Sequence, residues 1–464
     1  MRHSGVVLLA LAALLAGPAA QAGLVAYYDM EDGSGTSVSD VTGNGHTGTL
    51  QGTAAPDWVA SHDGSGALDL SGGQHVTTIN SAANQLNMDG NKPKTVALWA
   101  NVRSFNNGGL FDLGHANGAG QEFCLRTKTN NTGFRAQFWS SPDFDFNAPD
   151  SNGAWRHYVL LHDGSQGMAF YDGRLIAGGR STVNTQSNRN FEIGRYRGGS
   201  TLDGIVDDVA AYDEALQPNQ VAYLAGGGDP TALPAPEPGL FPLLGVGPDG
   251  SEHGLWGIRE VRNNGTLNSV YDARDSLLSG GGTIVDGSAP VVNHNDPQNN
   301  GGGGHFGDAS KAPFLGNVSG NDEDVAFLAR SKVIIPTDGW YTFGFRSDDG
   351  ALLKLVGADF EPRWGALAFG DTVVFPGNTG DSNTGAAAFL EAGEYPAEFL
   401  YYERGGGAYV ELWAAPGDFS SFDPAAFALV GDTANGGLQL TPEPTTLSLL
   451  GLGLLAALRR RRRA

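Results

Sequence analysis

The chain has 464 residues, which is enough for two or three domains that each bury a core. Glycine supplies 70 residues, about twice its average share, and only 17 % of the chain is charged, so many tight turns between short strands are expected and the predicted fold class is all-β. The formal net charge is −22, and because an acidic body repels phosphate backbones, this charge argues against nucleic acid as a partner.

Residues 1–22 have the features of a secretory signal peptide. Arg2 supplies the positive start, residues 5–16 form an apolar stretch, and small residues lead up to Ala22 at the expected cleavage point. The apolar stretch is about 12 residues long, too short to span a bilayer. The sequence therefore predicts an N-terminal signal helix and export across the inner membrane.

Residues 24–226 predict a first β-sandwich domain. Apolar residues alternate with polar ones in short runs such as 95–102 and 155–161, and clusters of Gly, Asn and Asp separate the runs. Asp172 and Gly173 lie between two strand-like runs, which is typical of a type I′ hairpin. The single cysteine, Cys124, excludes an intrachain disulfide and is expected in the core.

The first domain resembles the laminin-G-like, concanavalin A-like jelly-roll family. The similarity is carried by four runs in the expected order, residues 24–45, 96–99, 155–173 and 202–216. Members of this family often hold calcium and bind glycans or proteins. The resemblance places Asp207 at a recurrent aspartate that could bind calcium, with Asp29 or Asp40 as more distant candidates. The alternative is that Asp207 only fixes a neighbouring loop through hydrogen bonds.

The aromatic residues of this domain offer one candidate sugar contact. Trp139 lies beside a turn and could stack on a sugar ring, although packing in the core is the alternative. Trp99 and Trp155 fall on alternating strands and are expected in the core.

Related folds include glucanases, so catalysis has to be considered. Those enzymes carry a Glu-x-Asp-x-x-Glu strand, because glycoside cleavage needs paired carboxylates. The present sequence has no such motif, and its nearest equivalent, Asp143 and Asp145, lacks a third acid. We therefore expect a protein that is not an enzyme.

A Gly- and Pro-rich linker at 227–250 leads to a second predicted β-sandwich at 254–416. Residues 339–350 read Gly-x-Tyr-x-Phe-x-x-x-Ser-Asp-Asp-Gly, and residues 395–406 read Tyr-Pro-x-x-x-x-Tyr-x-Glu-x-Gly-Gly. Both runs resemble the β-sandwich module named after anthrax protective antigen. In its sugar-binding members, paired aspartates hold a calcium ion that coordinates sugar hydroxyls.

The resemblance implies a calcium site at Asp348 and Asp349. Two carboxylates on one tight turn supply charge and oxygen ligands together. The second loop of the family aligns with Glu403, Gly405 and Gly407, so Glu403 could be a further ligand, whereas Gly407 cannot stack on a sugar. The alternative is that residues 348–350 form only a structural turn.

Residues 417–441 are acidic and rich in turn residues, which predicts a linker to a C-terminal tail at 442–464. The tail has a Pro-Glu-Pro, then an apolar run at 445–458 and a cluster of arginines. Its features resemble the PEP-CTERM sorting signal of Gram-negative bacteria, which implies an exosortase as a partner, cleavage near Pro-Glu-Pro, and a short hydrophobic helix that contacts the membrane transiently. The residues assigned to the signal are Pro442, Glu443, Pro444, Arg459, Arg460 and Arg461. A simple C-terminal membrane anchor is the alternative.

Together these features predict an exported protein of the cell envelope or extracellular matrix that binds carbohydrate or matrix polysaccharide with the help of calcium. One alternative is a non-catalytic structural or protein-interaction component of the matrix. Another is an accessory to a polysaccharide-acting enzyme, or a hydrolase whose motif is not recognisable.

Overall fold

The computed structural model describes residues 23–52, 57–79, 86–114, 118–129, 133–148, 150–298, 304–307, 311–316 and 322–441. The predicted signal helix at 1–22 and sorting tail at 442–464 lie outside the described residues. β-strands form most of the regular structure, which confirms the all-β prediction. In the described ranges the α-helices are α1 (Pro218–Ala225) and α2 (Val270–Ser279), and none of the helices there is long and apolar enough to cross a membrane.

The first sandwich is built from two eight-stranded sheets. Its strands are β1 (Leu24–Tyr28), β2 (Ser37–Val38), β3 (Gly48–Gln51), β4 (Asp57–Ala60), β5 (Gly66–Asp69), β6 (His75–Thr78), β7 (Lys94–Val102), β8 (Gly109–Leu113), β9 (Phe123–Thr127), β10 (Gly133–Gln137), β11 (Phe144–Asn147), β12 (Trp155–His162), β13 (Gln166–Tyr171), β14 (Arg174–Arg180), β15 (Phe191–Ile193), β16 (Arg195–Tyr196), β17 (Ser200–Thr201) and β18 (Gly204–Tyr212). Sheet 1 has the order β14-β13-β12-β7-β18-β5-β4, with β1 also paired to β18. Sheet 2 has the order β11-β10-β9-β8-β15-β6-β3-β2, and β16 and β17 form a separate ribbon.

The side chains of these strands point alternately to the two faces of each sheet, and this alternation decides which of them form the core. Leu98 and Val206 of sheet 1 pack with Phe111 and Phe134 of sheet 2. Because successive residues of a strand point to opposite faces, their neighbours point away from this core. Cys124 is a free, buried thiol, as its apolar neighbours in the sequence predict.

The second sandwich is built from two seven-stranded sheets. Its strands are β19 (Trp256–Arg262), β20 (Thr283–Ala289), β21 (Asn293–Asn295), β22 (Ala312–Pro313), β23 (Val325–Ile335), β24 (Gly339–Asp348), β25 (Ala351–Leu355), β26 (Glu361–Trp364), β27 (Leu367–Phe369), β28 (Thr372–Phe375), β29 (Ser382–Leu390), β30 (Gly393–Glu403), β31 (Tyr409–Pro416) and β32 (Ala428–Leu429). Sheet 3 has the order β20-β19-β23-β30-β25-β28-β27. Sheet 4 has the order β22-β21-β31-β24-β29-β26, with β32 also paired to β31.

Residues 417–441 differ from the linker that their composition predicts, because they complete the second sandwich. β32 pairs with β31, and Leu440 forms a bridge with Val333. Leu438 and Leu440 are buried in the core between sheets 3 and 4. A few apolar side chains among acidic and glycine residues are therefore enough to hold this segment on the sheet.

The two sandwiches share a third hydrophobic cluster. Side chains from the outer face of sheet 1, such as Phe170, pack with Leu352 and Leu400 from the outer face of sheet 3. Leu240 and Phe241, from the Gly- and Pro-rich segment at 227–250, are buried in the same cluster. This segment thus lies in the interface, and it does not act as a free spacer between separate bodies.

Candidate metal centre

The end of β24 and the end of β30 bring three carboxylates together in the second sandwich. β24 belongs to sheet 4 and ends at Asp348, and the chain then crosses to sheet 3, where β25 begins and β30 ends at Glu403. One carboxylate oxygen each of Asp348, Asp349 and Glu403 lies within 4.8 Å of the others. The three predicted metal ligands of this domain are therefore placed side by side, and the Asp348–Asp349 peptide bond is cis.

Asp349 is buried and is fixed by two backbone hydrogen bonds. Its Oδ1 accepts from the Thr379 amide at 2.8 Å, and its Oδ2 accepts from the Arg404 amide at 2.9 Å. Each amide belongs to a different loop. Asp349 thus links both loops to the turn, and these two hydrogen bonds hold its carboxylate in a single orientation.

Glu403 is fully buried and is also held in place. Its Oε1 accepts from the Gly405 amide at 2.6 Å, and its Oε2 accepts from the Tyr401 hydroxyl at 3.1 Å. Asp348 differs from both, because it is only partly buried and its side chain makes no hydrogen bond to any residue in the described ranges. Its oxygens therefore face the other two carboxylates and the solvent.

The pKa of each of the three acids is raised, chiefly by burial. Burial, with the charges of Asp349 and Asp381, raises the pKa of Asp348 to about 7. Burial, with the charges of Asp349 and Asp348, raises the pKa of Glu403 to about 9. Burial raises the pKa of Asp349 as well. The raised pKa values mean that the three carboxyl groups do not all ionise readily together. A bound cation would stabilise their ionised forms.

The donor set fits calcium. Calcium takes six to eight oxygen ligands, and carboxylates are its preferred protein donors. Asp348 and Glu403, each the last residue of a strand, and Asp349 in the adjoining turn supply part of such a shell. At the position aligned with the family's stacking aromatic, the second loop has Gly407, so that position supplies no ring to stack on a sugar.

Sequence reasoning missed the neighbours that tie this cluster down. Arg346 forms a bidentate pair with Asp381, whose charge contributes to the raised pKa of Asp348. Thr379 lies in a loop far from residues 348 and 403 in the sequence. The pattern of apolar and polar residues could not predict the role of Thr379, because Thr379 contacts Asp349 through its backbone amide, which every residue except proline has.

A second cluster of possible metal ligands surrounds Asp207 in the first sandwich. Asp207 is fully buried, and donor atoms of His62 and Asp63 join it in a group spanning at most 4.8 Å. His62 Nδ1 lies 3.7 Å from Asp207 Oδ2, and burial raises the pKa of Asp207 to about 7. Imidazole suits zinc and similar metals better than calcium. The Ser61 hydroxyl also donates a hydrogen bond to Asp207, so Asp207 also fixes the neighbouring loop, as the alternative interpretation expects.

The more distant candidates Asp29 and Asp40 are not in this group. Asp40 closes its own turn, where its Oδ2 accepts from the His46 amide at 2.9 Å. Asp29 accepts from the Glu31 amide at 3.3 Å. Asp40 Oδ1 also accepts from the Tyr27 amide of β1 at 3.2 Å, so Asp40 ties its turn to that strand, whereas the contact of Asp29 is local.

Trp99 and Trp155 are placed differently from the core positions expected for them, and Trp139, the candidate sugar contact, is not freely exposed. Trp99 and Trp155 are half-buried on the outer face of sheet 1, with His62 stacked on Trp99 at a ring distance of 4.0 Å. Trp139 is half-buried, and the Arg197 guanidinium lies 3.6 Å from its ring centre. One face of Trp139 is thus covered by an arginine.

Asp143 and Asp145, the acidic residues considered for catalysis, make contacts within the first sandwich. Asp145 pairs with Arg135 and Lys128 at 2.6 and 2.5 Å. Asp143 accepts from the Phe138 amide at 2.8 Å. Neither carboxylate faces the other clusters described above.

Comparisons with known families confirm two of the three resemblances. Residues 70–222 match the model of the concanavalin A-like lectin/glucanases superfamily, and residues 440–463 match the PEP-CTERM protein-sorting motif. The second match indicates an exported, envelope-associated protein of Gram-negative bacteria. The resemblance of the second sandwich to the protective-antigen module stays a prediction. A search of curated proteins gave no match.

Solved structures are similar to this chain at low identity. Domain 4 of AbnA, a GH43 extracellular arabinanase from Geobacillus stearothermophilus, is 19 % identical with a TM-score of 0.33, and the match covers 44 % of this chain and 98 % of that one. Trypanosoma rangeli sialidase is 18 % identical with a TM-score of 0.36, covering 45 % of this chain and 33 % of the sialidase. The binding domain of Paraclostridial Mosquitocidal Protein 1 is 14 % identical with a TM-score of 0.35, covering 66 % and 70 %.

Proposed function

We propose that this chain, which joins a concanavalin A-like sandwich to a PEP-CTERM sorting motif, is an exosortase-sorted protein of the envelope or matrix that binds carbohydrate through calcium. The calcium site of this proposal consists of Asp348, Asp349 and Glu403. When bound, the ion would supply open coordination positions for the hydroxyl groups of a sugar. The protein acts as a binding module and has no catalytic role in this proposal.

The observation that carries the proposal is the convergence of three carboxylates from two loops. Their oxygens lie within 4.8 Å of one another, although like charges so close repel. Asp349 and Glu403 are oriented by backbone amides, whereas no donor within the part of the chain that the structure describes reaches the Asp348 side chain. Calcium would balance this charge and use the free oxygens of Asp348.

Calcium binding is tested first on the mature chain. Isothermal titration with calcium should give a binding step that Asp349→Asn removes, because the substitution takes away one negative charge of the cluster and replaces one of its two carboxylate oxygens with an amide nitrogen that cannot ligate the ion. Asp359→Asn is the matched control, since Asp359 is an exposed aspartate in the same sandwich. Absence of a calcium step in the folded wild-type protein would refute the metal site.

Carbohydrate binding is tested next on a glycan array with calcium or with a chelator. We expect signals that need calcium and that Asp349→Asn removes. A folded, calcium-loaded protein that binds no glycan would instead support the structural role in the matrix. Release of reducing ends from matrix polysaccharide would contradict the non-catalytic proposal.

A further inference from the structure

A lysine and an aspartate are buried together on the outer face of sheet 3. Lys354 of β25 and Asp371, in the turn between β27 and β28, are only 6 % and 4 % exposed. The Lys354 Nζ donates to Asp371 Oδ1 at 2.6 Å. Lysine and aspartate are almost never buried to this degree unless they are paired, because both charges lose their hydration. Neither residue belongs to the two groups of possible metal ligands described above.

The segment that joins the two sandwiches covers this pair. A Cβ atom on Gly239 would overlap Asp371 Oδ1 and would lie 2.7 Å from Lys354 Nζ, so only glycine fits at this position. The Pro238 carbonyl oxygen lies 3.5 Å from the same Nζ. The backbone of residues 238 and 239 therefore lies directly on the two charged groups and separates them from solvent.

The space beside the amine is apolar and has little room for water. Phe241, Leu352 and Leu400 border a cavity of about 10 Å³ next to Lys354, which is at the lower limit for one water molecule. In such surroundings an ammonium group and a carboxylate are costly to bury, whereas a neutral amide is easier to bury. Conversion of the ion pair into an amide would remove both buried charges.

A second buried carboxylate lies near the lysine but has other partners. Glu398 of β30 is paired in register with Lys354. Arg330 Nε donates to Glu398 Oε1 at 3.0 Å, and two backbone amides of the joining segment also donate to its carboxylate. Asp371 is therefore the acid whose oxygen contacts the amine.

We propose that Lys354 and Asp371 form a modification site, where their side chains condense into an amide that links β25 to the turn between β27 and β28. A proton first passes from the ammonium group to the carboxylate. The Nζ lone pair then forms a bond to Asp371 Cγ, and one Cγ–O bond breaks.

The atoms and charges of this step balance within the pair. Two ammonium protons leave with one carboxylate oxygen as a water molecule, and the remaining proton stays on the amide nitrogen. The two opposite charges cancel, so the step needs no oxidant, reductant or co-reactant. The Thr372 hydroxyl donates to Asp371 Oδ1 at 3.1 Å, and it stabilises negative charge on this oxygen while Nζ attacks.

A covalent link of this kind suits the composition of the chain. Exported proteins commonly gain stability from disulfides, which the single cysteine excludes within this chain. The amide would instead fix β25 to the β27–β28 turn, beneath the segment at 238–241 that packs between the two sandwiches. The link constrains the unfolded chain in the same way as a disulfide does.

The test is intact-mass spectrometry on the denatured mature chain. Nearly all wild-type molecules should be lighter than their sequence by one water molecule. Lys354→Met and Asp371→Ala should have the full masses that their sequences give. Lys332→Met is the matched control, because Lys332 forms an exposed ion pair with Glu394 at 3.6 Å, and this variant should still lose the water.

Tryptic mapping of the wild type locates the link even where a variant does not fold. Residues 347–363, uncut at Lys354, should be joined to residues 364–404, which contain Asp371. The full mass in the folded wild type would overturn the proposal, because the two residues would then form an ion pair only. A water loss that maps to an Asp-Gly succinimide within one unbranched peptide would overturn it too. Neither readout involves calcium or a glycan, so this proposal and the proposed function fail separately.

Discussion

Replacing Asp348 with asparagine should stabilise the calcium-free protein and abolish its response to calcium. Asp348 is the cluster member whose side chain accepts no hydrogen bond within the described ranges, so Asp348→Asn removes a charge without breaking a contact. The other two acids each hold backbone amides, and their replacement would confound repulsion with lost hydrogen bonds.

The size of the effect follows from the pKa of Asp348, which rises from 3.8 to about 7. At about 1.4 kcal/mol per pKa unit, ionising this side chain in the folded state costs about 4 kcal/mol, and because the group is partly exposed, solvent screening reduces this to about 1–2 kcal/mol. A raised pKa means that the folded protein loses stability as pH rises from about 4 through about 7. The gain from Asp348→Asn is therefore expected at pH 8 and should disappear near pH 4.

The assay is urea unfolding followed by tryptophan fluorescence, at both pH values, with chelator or with calcium. At a calcium concentration about 100 times the Kd, the wild type should gain about 2.7 kcal/mol at pH 8, and Asp348→Asn should gain nothing. Asp359→Asn should respond to calcium like the wild type. The reasoning fails if Asp348→Asn is less stable than the wild type at pH 8 in chelator, or if it retains the full calcium effect.

Three further predictions concern the fold. Phe170→Ala should cost about 3–5 kcal/mol in calorimetry, because the buried ring packs 6.1 Å from Phe369 of the other sandwich, and a loss below about 1 kcal/mol would contradict a shared core. Ser269→Ala should cost about 1 kcal/mol in urea unfolding, because Ser269 caps α2 by accepting from the Asp272 amide at 3.2 Å, and an unchanged stability would refute the cap. Cys124 should react with maleimide only after denaturation, because full burial raises the pKa of its thiol; rapid labelling of the native protein would refute this.

The sequence predicted those features that depend on neighbouring residues. Alternation of aromatic residues at 339–346 predicted a strand, and β24 runs from Gly339 to Asp348. The position of the Asp348–Asp349 turn followed from the same pattern, because a carboxylate pair between two apolar runs marks a turn. The position of Glu403 came only from the resemblance to a family, since 54 residues separate it from Asp349 and no local pattern links them.

Features that depend on contacts between residues far apart in the sequence could not be predicted. His62 and Asp63 sit in an ordinary turn sequence, and only the fold brings them to Asp207. The pairing of Asp112 with Glu192 depends on the register between β8 and β15, which are far apart in the chain. Helix α2 is a different case, because Ser269 before it and Gly280 after it are usual helix boundaries, but the dominant strand pattern around them hid this signal.

The sorting motif overlaps the folded body, and this overlap limits how the motif can be reached. The family match begins at residue 440, yet Leu440 is bridged to Val333 and the Thr441 amide donates to the Lys332 carbonyl at 3.0 Å. Thr441 is the residue directly before the Pro-Glu-Pro in the sequence. A sorting enzyme that binds the whole matched motif therefore reaches residues 440 and 441 only after the Leu440–Val333 bridge has opened. In the described structure this end is held by the Leu440–Val333 bridge, by backbone hydrogen bonds of Gln439 and Thr441 to β23, and by the burial of Leu438 and Leu440 in the core. Opening it therefore exposes two buried leucines as well as breaking hydrogen bonds, but it is a local opening that does not require the whole sandwich to unfold.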